Sequence, residues 1–208
     1  MTKKLFLTLS IIAFFASCGT RSSNNSATHD EGVVINGVRW ATRNVSAPGT
    51  FARTPKSVGK FYQWNRKKAW RGAGPRIRNW DTSTPTGTAW YAENDPCPPG
   101  WRVPTIEEFR SLIDAGSEEI YRNFRRGYLF GTAPYQIYLP AGGFRLRDGR
   151  LHLGGWGRYW SGSGEIQKLY QGHAGRIIAG HMTFGRSNVS VSMSPPESFG
   201  RLVRCVAK

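Results

Sequence analysis

The sequence predicts an α+β domain, mostly antiparallel strands with two helices and long loops. Three observations lead there. Val33-Val34-Ile35 and Val38-Arg39-Trp40 flank Asn36-Gly37, the dipeptide that most readily supplies positive φ at both centres of a type I′ hairpin turn. Thr105 with Glu108 forms a capping box, and Ile106, Phe109, Leu112 and Ile113 share one face of the helix it opens. Short apolar stretches at 135–139, 144–146 and 151–153, separated by turn-forming residues, read as strands.

Lys3 and Lys4 precede an apolar run over 5–16, and Phe15-Ala16-Ser17-Cys18 places small residues before a cysteine. The run suits a signal h-region and is shorter than the ~20 residues that span a bilayer. This segment resembles a bacterial lipoprotein signal peptide, which implies that 1–17 is removed and Cys18 is lipidated. Several acyl chains on one residue exceed the single-chain case in which binding is marginal, so the membrane is reached through a stable lipid anchor. With Gly19 next, the sorting habit of many lipoproteins implies the outer membrane, on either face. Residues 18–31, including Arg21-Ser22-Ser23-Asn24-Asn25-Ser26, are almost devoid of apolar side chains and read as a flexible tether. The folded domain is expected over 32–208.

With Cys18 set aside, Cys97 and Cys205 remain, an even number in an exported chain, which points to a disulfide. Metal ligation and a free nucleophile are the alternatives; neither cysteine lies in a C-x-x-C or near a histidine in sequence.

Within the domain, 50–88 reads mostly as loop, interrupted by a short strand over 60–64. Gly116 ends the first helix. A second helix is expected from Ser117, with Glu118 and Glu119 at the positive end of its dipole and Arg125 and Arg126 at the negative end, before Gly127. Around Asp148-Gly149, alternation puts Phe144, Leu146, Leu151 and Leu153 on one face of a hairpin. Arg145, Arg147, Arg150 and His152 fall on the other as a cationic ribbon. Later strands are expected over 158–160, 176–179, 188–193 and 202–206.

A net charge of +16 and a pI near 10.4 favour acidic partners. His29, His152, His173 and His181 show no H-E-x-x-H spacing, and Ser161 and Ser163 lack the first glycine of a nucleophile elbow. Within 32–208, Glu93 and Asp95 alone lie close together outside the helices, too few carboxylates for calcium. No catalytic residue, metal or cofactor is expected. The densest charge falls at Arg66, Lys67, Lys68, Arg71, Arg76 and Arg78, interleaved with Trp70 and Trp80 and without an acidic residue over 66–80. Gly72, Gly74 and Pro75 would present this stretch as a loop, where guanidinium groups can grip sulfate, phosphate or carboxylate. A solvated loop that merely keeps the protein soluble competes with that reading. Trp70 and Trp80 are evenly balanced between exposure, where they could stack on a ligand, and burial.

Three blocks carry a resemblance: 34–45 (Val-Ile-Asn-Gly-Val-Arg-Trp-Ala-Thr-Arg-Asn-Val), Tyr62-Gln63-Trp64-Asn65, and 94–105 (Asn-Asp-Pro-Cys-Pro-Pro-Gly-Trp-Arg-Val-Pro-Thr). Further matches are Leu139-Pro140-Ala141-Gly142-Gly143-Phe144-Arg145, Tyr159-Trp160-Ser161 and Val203-Arg204-Cys205-Val206. In this order they resemble the Fibrobacter succinogenes major paralogous domain, over nearly all of 32–208. The resemblance implies a fold similar to C-type lectin-like domains, a place among lipoproteins and surface proteins typical of Bacteroidota, and a Cys97 to Cys205 pairing. It implies no settled activity. The Glu-Pro-Asn and Gln-Pro-Asp motifs of calcium-dependent sugar binding are missing, as are the neighbouring cysteines of formylglycine-generating enzymes. The expected function is therefore that of a noncatalytic outer-membrane lipoprotein that binds an acidic glycan, lipopolysaccharide or another polyanion through its basic loop. The alternative is an accessory or tip subunit of a surface assembly such as a fimbria, with other assembly proteins as partners. Nucleic acid ranks lower, because an exported protein meets envelope polymers first.

Overall fold

The computed structural model describes residues 27–122, 125–168, 175–186 and 188–208. The predicted signal peptide, the expected lipidation site Cys18, the expected tether up to residue 26 and His173 lie outside the described residues.

The chain opens with β1 (Val33–Ile35), β2 (Val38–Asn44) and β3 (Tyr62–Gln63), followed by β4 (Trp101–Arg102) and the helix α1 (Ile106–Asp114). Next come β5 (Ser117–Arg122), β6 (Arg125–Thr132), β7 (Tyr135–Pro140), β8 (Phe144–Arg145) and β9 (Leu151–His152). The last part contains β10 (Gly157–Gln167), β11 (Arg176–Gly185), β12 (Asn188–Ser194), β13 (Gly200–Arg201) and β14 (Arg204–Ala207). They assemble into four sheets, ordered β1-β2-β14-β4, β5-β6-β7, β3-β13-β8-β9 and β10-β11-β12.

Local signals explain the first elements. Asn36 and Gly37 both have positive φ, 47° and 79°, and Ile35 pairs with Val38 across the turn, as a type I′ hairpin requires. At α1 the Thr105 hydroxyl accepts the Glu108 N–H and the Glu108 carboxylate accepts the Thr105 N–H, so two otherwise orphaned donors are satisfied. The helix buries Ile106, Phe109 and Leu112, with the Phe109 ring 5.3 Å from that of Trp40.

The second helix does not form. Residues 117–132 make the antiparallel pair β5–β6, in register from Ser117 opposite Phe130 to Arg122 opposite Arg125. Two of the charges assigned to a helix dipole are cross-strand partners instead: the Arg126 guanidinium lies 2.6 Å from Glu119 and donates to the Tyr121 hydroxyl. Tyr128 and Phe130 alternate inward and pack on Phe184, a burial that outweighs local capping preference. The expected α+β domain is thus corrected to a mainly-β fold, with α1 as its one α-helix among the described residues.

Two clusters make the core. One gathers Trp40, Phe109, Phe130, Tyr159, Phe184 and Leu202; the other gathers Trp64, Trp101, Trp160 and Val203 around the two cysteines. Cys97 and Cys205, 108 residues apart, form a disulfide with a Cα separation of 6.1 Å, stapling β14 to the segment before β4. Arg204 lies wholly inside, donating to Asn44 Oδ1 and to the carbonyls of Ala41 and Tyr138. Burial pulls its pKa down to about 10.

Folding begins before Gly32. Asp30, in the expected tether, is buried, accepting the Thr42 N–H and hydroxyl and pairing with Arg43. Ala27 accepts the Phe51 N–H.

Candidate functional site

The basic loop leaves the core at Phe61 and re-enters it at Trp80. Its base is closed by reciprocal backbone hydrogen bonds between Phe61 and Trp70, at 3.0 and 2.8 Å. Its upper part docks on the β8–β9 hairpin, where Leu151 donates to the Pro75 carbonyl and Arg76 bridges to Arg150.

Arg145 braces this arrangement. Placed by alternation on the cationic ribbon, it is in fact 0% exposed. Its Nη1 donates to the carbonyls of Gly74 and Gly149 at 3.0 Å, and its Nη2 to those of Arg71 and Ala73 at 3.0 and 2.9 Å. A β8 side chain thus reads the loop's backbone, and only a planar guanidinium fork can satisfy four carbonyls at once. The ribbon is corrected accordingly: Arg145 points inward, while Arg147 and Arg150 remain outside, paired with Glu197 and Asp148.

The two indoles form the loop's floor. Trp70 and Trp80 are 7% and 8% exposed, with ring centroids 4.7 Å apart. Trp70 Nε1 donates to Gln63 Oε1 and Trp80 Nε1 to the Ser198 carbonyl. Neither offers a free face for a ligand, so stacking on these two rings is withdrawn from the expected site. A buried indole ordinarily finds a hydrogen-bond partner; the partner of Trp70 is seven residues away in sequence, and that of Trp80 is 118 residues away, beyond the reach of local composition.

The six cations divide. Arg66 is a structural strut, ion-paired with Asp81 and donating to the carbonyl and hydroxyl of Ser83. The Ser83 hydroxyl first, then Arg66 and Lys68, hold the Asp81 carboxyl below its ordinary pKa. Lys68 sits over the Trp70 ring, its Nζ 4.2 Å from the centroid. Arg71 donates to the Arg76 carbonyl. Lys67, Lys68, Arg71, Arg76 and Arg78 are exposed, and none joins an ion pair among the described residues.

Two concavities flank the loop. Arg71, Arg76, Arg78, Trp80 and Asp148 line an open bowl of about 640 Å³. The backbone N–H of Arg150 and then its guanidinium, with Arg76 nearby, keep Asp148 ionised below the usual carboxylate range. On the other side Lys67, Trp90, Asp95, Cys97, Trp101 and Lys208 line a cleft of about 870 Å³ beside the disulfide. Trp90 is fixed there by its N–H to Gly162 and its Nε1 to Asn94. Asp95 is spoken for, accepting the N–H groups of Cys97 and Val103; burial nevertheless raises its pKa. Sequence reasoning missed this cleft because its walls come from five separate segments. The one local hint was Trp90 close before the Asn94 to Thr105 block.

Compared with known proteins, the chain matches no family model, no curated sequence and no solved structure. Fold and site together define a disulfide-stapled, mainly-β domain with a braced cationic loop.

Proposed function

We propose that this protein is a noncatalytic, lipid-anchored envelope protein that binds an acidic glycan, lipopolysaccharide or another polyanion through loop 66–78. The observation that carries the reading is the combination of five exposed cations, Lys67, Lys68, Arg71, Arg76 and Arg78, with a backbone held from beneath by Arg145. Bringing such charges together is costly unless solvent or a partner offsets it. A loop already ordered by buried hydrogen bonds loses little further entropy on binding, so more of the ionic attraction appears as affinity. The bowl between Arg71, Arg76 and Arg78 suits a sulfate, phosphate or carboxylate group held by several guanidinium donors. The sequence blocks resembling the Fibrobacter succinogenes major paralogous domain, together with the lipoprotein-like leader, support an envelope setting in which such polymers are abundant.

The test is binding of heparin and of lipopolysaccharide by the full-length protein in detergent, across a salt series. Affinity should fall as salt rises. Replacing the five exposed cations with Ser should abolish it without changing the thermal transition, whereas Arg66→Ser should act mainly on stability. Retained affinity in the five-residue variant reduces the loop to a solvated surface.

A further inference from the structure

Three arginines are almost wholly buried, and two of them have evident structural work. Arg145 and Arg204 satisfy backbone carbonyls and an amide oxygen. Arg201, 2% exposed, differs in degree: Arg145 also leaves its Nε unpartnered, but Arg201 leaves both Nε and Nη1 without a hydrogen-bond partner among the described residues. Its guanidinium carbon lies over the Trp160 indole, 3.9 Å from the ring centroid, with the Phe199 centroid at 5.8 Å. Stacking satisfies the face of a guanidinium but leaves its edge, where all the donors lie, unsatisfied.

A second unpaired cation stands beside it. Arg158 and Trp160 occupy the same face of β10, two residues apart, and reciprocal backbone hydrogen bonds tie this strand to Leu202, next to Arg201. Arg158 stacks on Phe144, 3.8 Å from its centroid, and its buried Nε is also without a partner. Opposite Trp160 in the β10–β11 register is His181, buried, with Nε2 3.0 Å from the Ser192 hydroxyl and the ring close to the Ala179 backbone. Burial, then Arg201 and Arg158, pull the His181 pKa down to about 3, so the ring is neutral. None of the ion pairs among the described residues involves Arg158 or Arg201, and Glu197, nearby in sequence, is taken by Arg147.

We propose that Arg201 and Arg158, with His181 beside them, form a second anion site that takes one oxyanion group: sulfate, phosphate or a carboxylate. Breaking or omitting the partner of a buried charge is strongly destabilising, and here burial, and then the like charge of Arg158, depress Arg201. Water would complete the hydrogen bonds but leave the charge. An oxyanion meets both needs and matches the planar donor edge that the stacked guanidinium presents. Arg158 is the half-exposed member of the pair. This site is separate from the loop and does not depend on it.

The experiment uses the full-length protein carrying the five loop substitutions, so that loop binding cannot contribute. Thermal unfolding is followed against sodium sulfate and sodium phosphate, with sodium chloride at matched ionic strength as reference. The expected result is a saturating rise in Tm in the oxyanion salts beyond chloride, with a midpoint weakened at least tenfold in Arg158→Gln. Arg158 is the chosen position because loss of Arg201 endangers folding. A crystal grown with selenate should show an anomalous peak within hydrogen-bonding distance of the Arg201 edge. A linear, unsaturating rise, which sulfate gives by general exclusion from protein surfaces, would overturn the proposal, as would equal midpoints in parent and variant. If the five-residue loop variant still binds heparin, the loop reading fails while this one is judged on its own curves.

Discussion

Replacing Arg145 with Met removes the charge that holds the loop and keeps most of the aliphatic volume. Four backbone carbonyls, those of Arg71, Ala73, Gly74 and Gly149, lose the Arg145 donor, and Gly149 keeps only the longer hydrogen bond from the Ile77 N–H. Hydrogen bonds from charged donors contribute roughly 1.5 to 3 kcal/mol each. Relief of the guanidinium's desolvation offsets much of the gross loss, leaving a net cost of about 3 kcal/mol. For a domain of this size that corresponds to a fall in Tm of roughly 6 to 12 °C. Thermal and urea unfolding give the stability, and amide hydrogen exchange over 71–78 reports whether the loop opens locally. Arg145→Lys should fall between parent and Met, because one ammonium cannot reach four carbonyls in a planar fork. Polyanion affinity should weaken in Arg145→Met although every exposed cation remains. A Tm within about 2 °C of the parent, with unchanged exchange in the loop, would refute the bracing role.

Other outcomes follow from the same contacts. Replacing both Cys97 and Cys205 with Ser should cost on the order of 4 to 5 kcal/mol in the chain-entropy model, read by urea unfolding against the oxidised parent. Trp80→Ala should cost about 3 to 5 kcal/mol, and adding heparin to the parent should leave the fluorescence of this buried ring unquenched. Burial alone would raise the Glu108 pKa, but Arg102 and the Thr105 N–H outweigh it and hold the carboxyl below its ordinary range. Its contribution is therefore present above the unfolded value of about 4.3 and is lost as pH falls through the lower folded value. The stability difference between parent and Glu108→Gln should shrink across that acid window; a constant difference would contradict the assignment.

The sequence is most legible where a feature is set by neighbours along the chain. Asn36-Gly37 and the Thr105/Glu108 box each need a few adjacent residues, and both form as read. The Cys97–Cys205 pair was legible from the even count left once Cys18 was assigned to an expected lipoprotein leader. By contrast, Glu118, Glu119, Arg125 and Arg126 satisfy helix-dipole logic and hairpin logic equally well. What decides between them is Tyr128 and Phe130 finding Phe184, more than 50 residues away in the chain. Alternation put Arg145 outside because period-two reasoning knows two faces of a strand but not what covers them. The loop backbone that covers this face offers four carbonyls, turning the polar side into an interior. Trp70 and Trp80 sank for a related reason: their partners, Gln63 and Ser198, are brought together by the β3–β13 pairing. Of the site itself, the location and sign of charge were legible, and the division into strut, floor and exposed cations was not.

The most direct measurement is the salt dependence of heparin affinity for the full-length parent and for the variant with Lys67, Lys68, Arg71, Arg76 and Arg78 replaced by Ser. A polyanion-binding loop predicts affinity in the parent that declines steadily with salt and essentially none in the variant, both proteins melting at the same temperature. Equal affinity and equal salt dependence in the two proteins would contradict it.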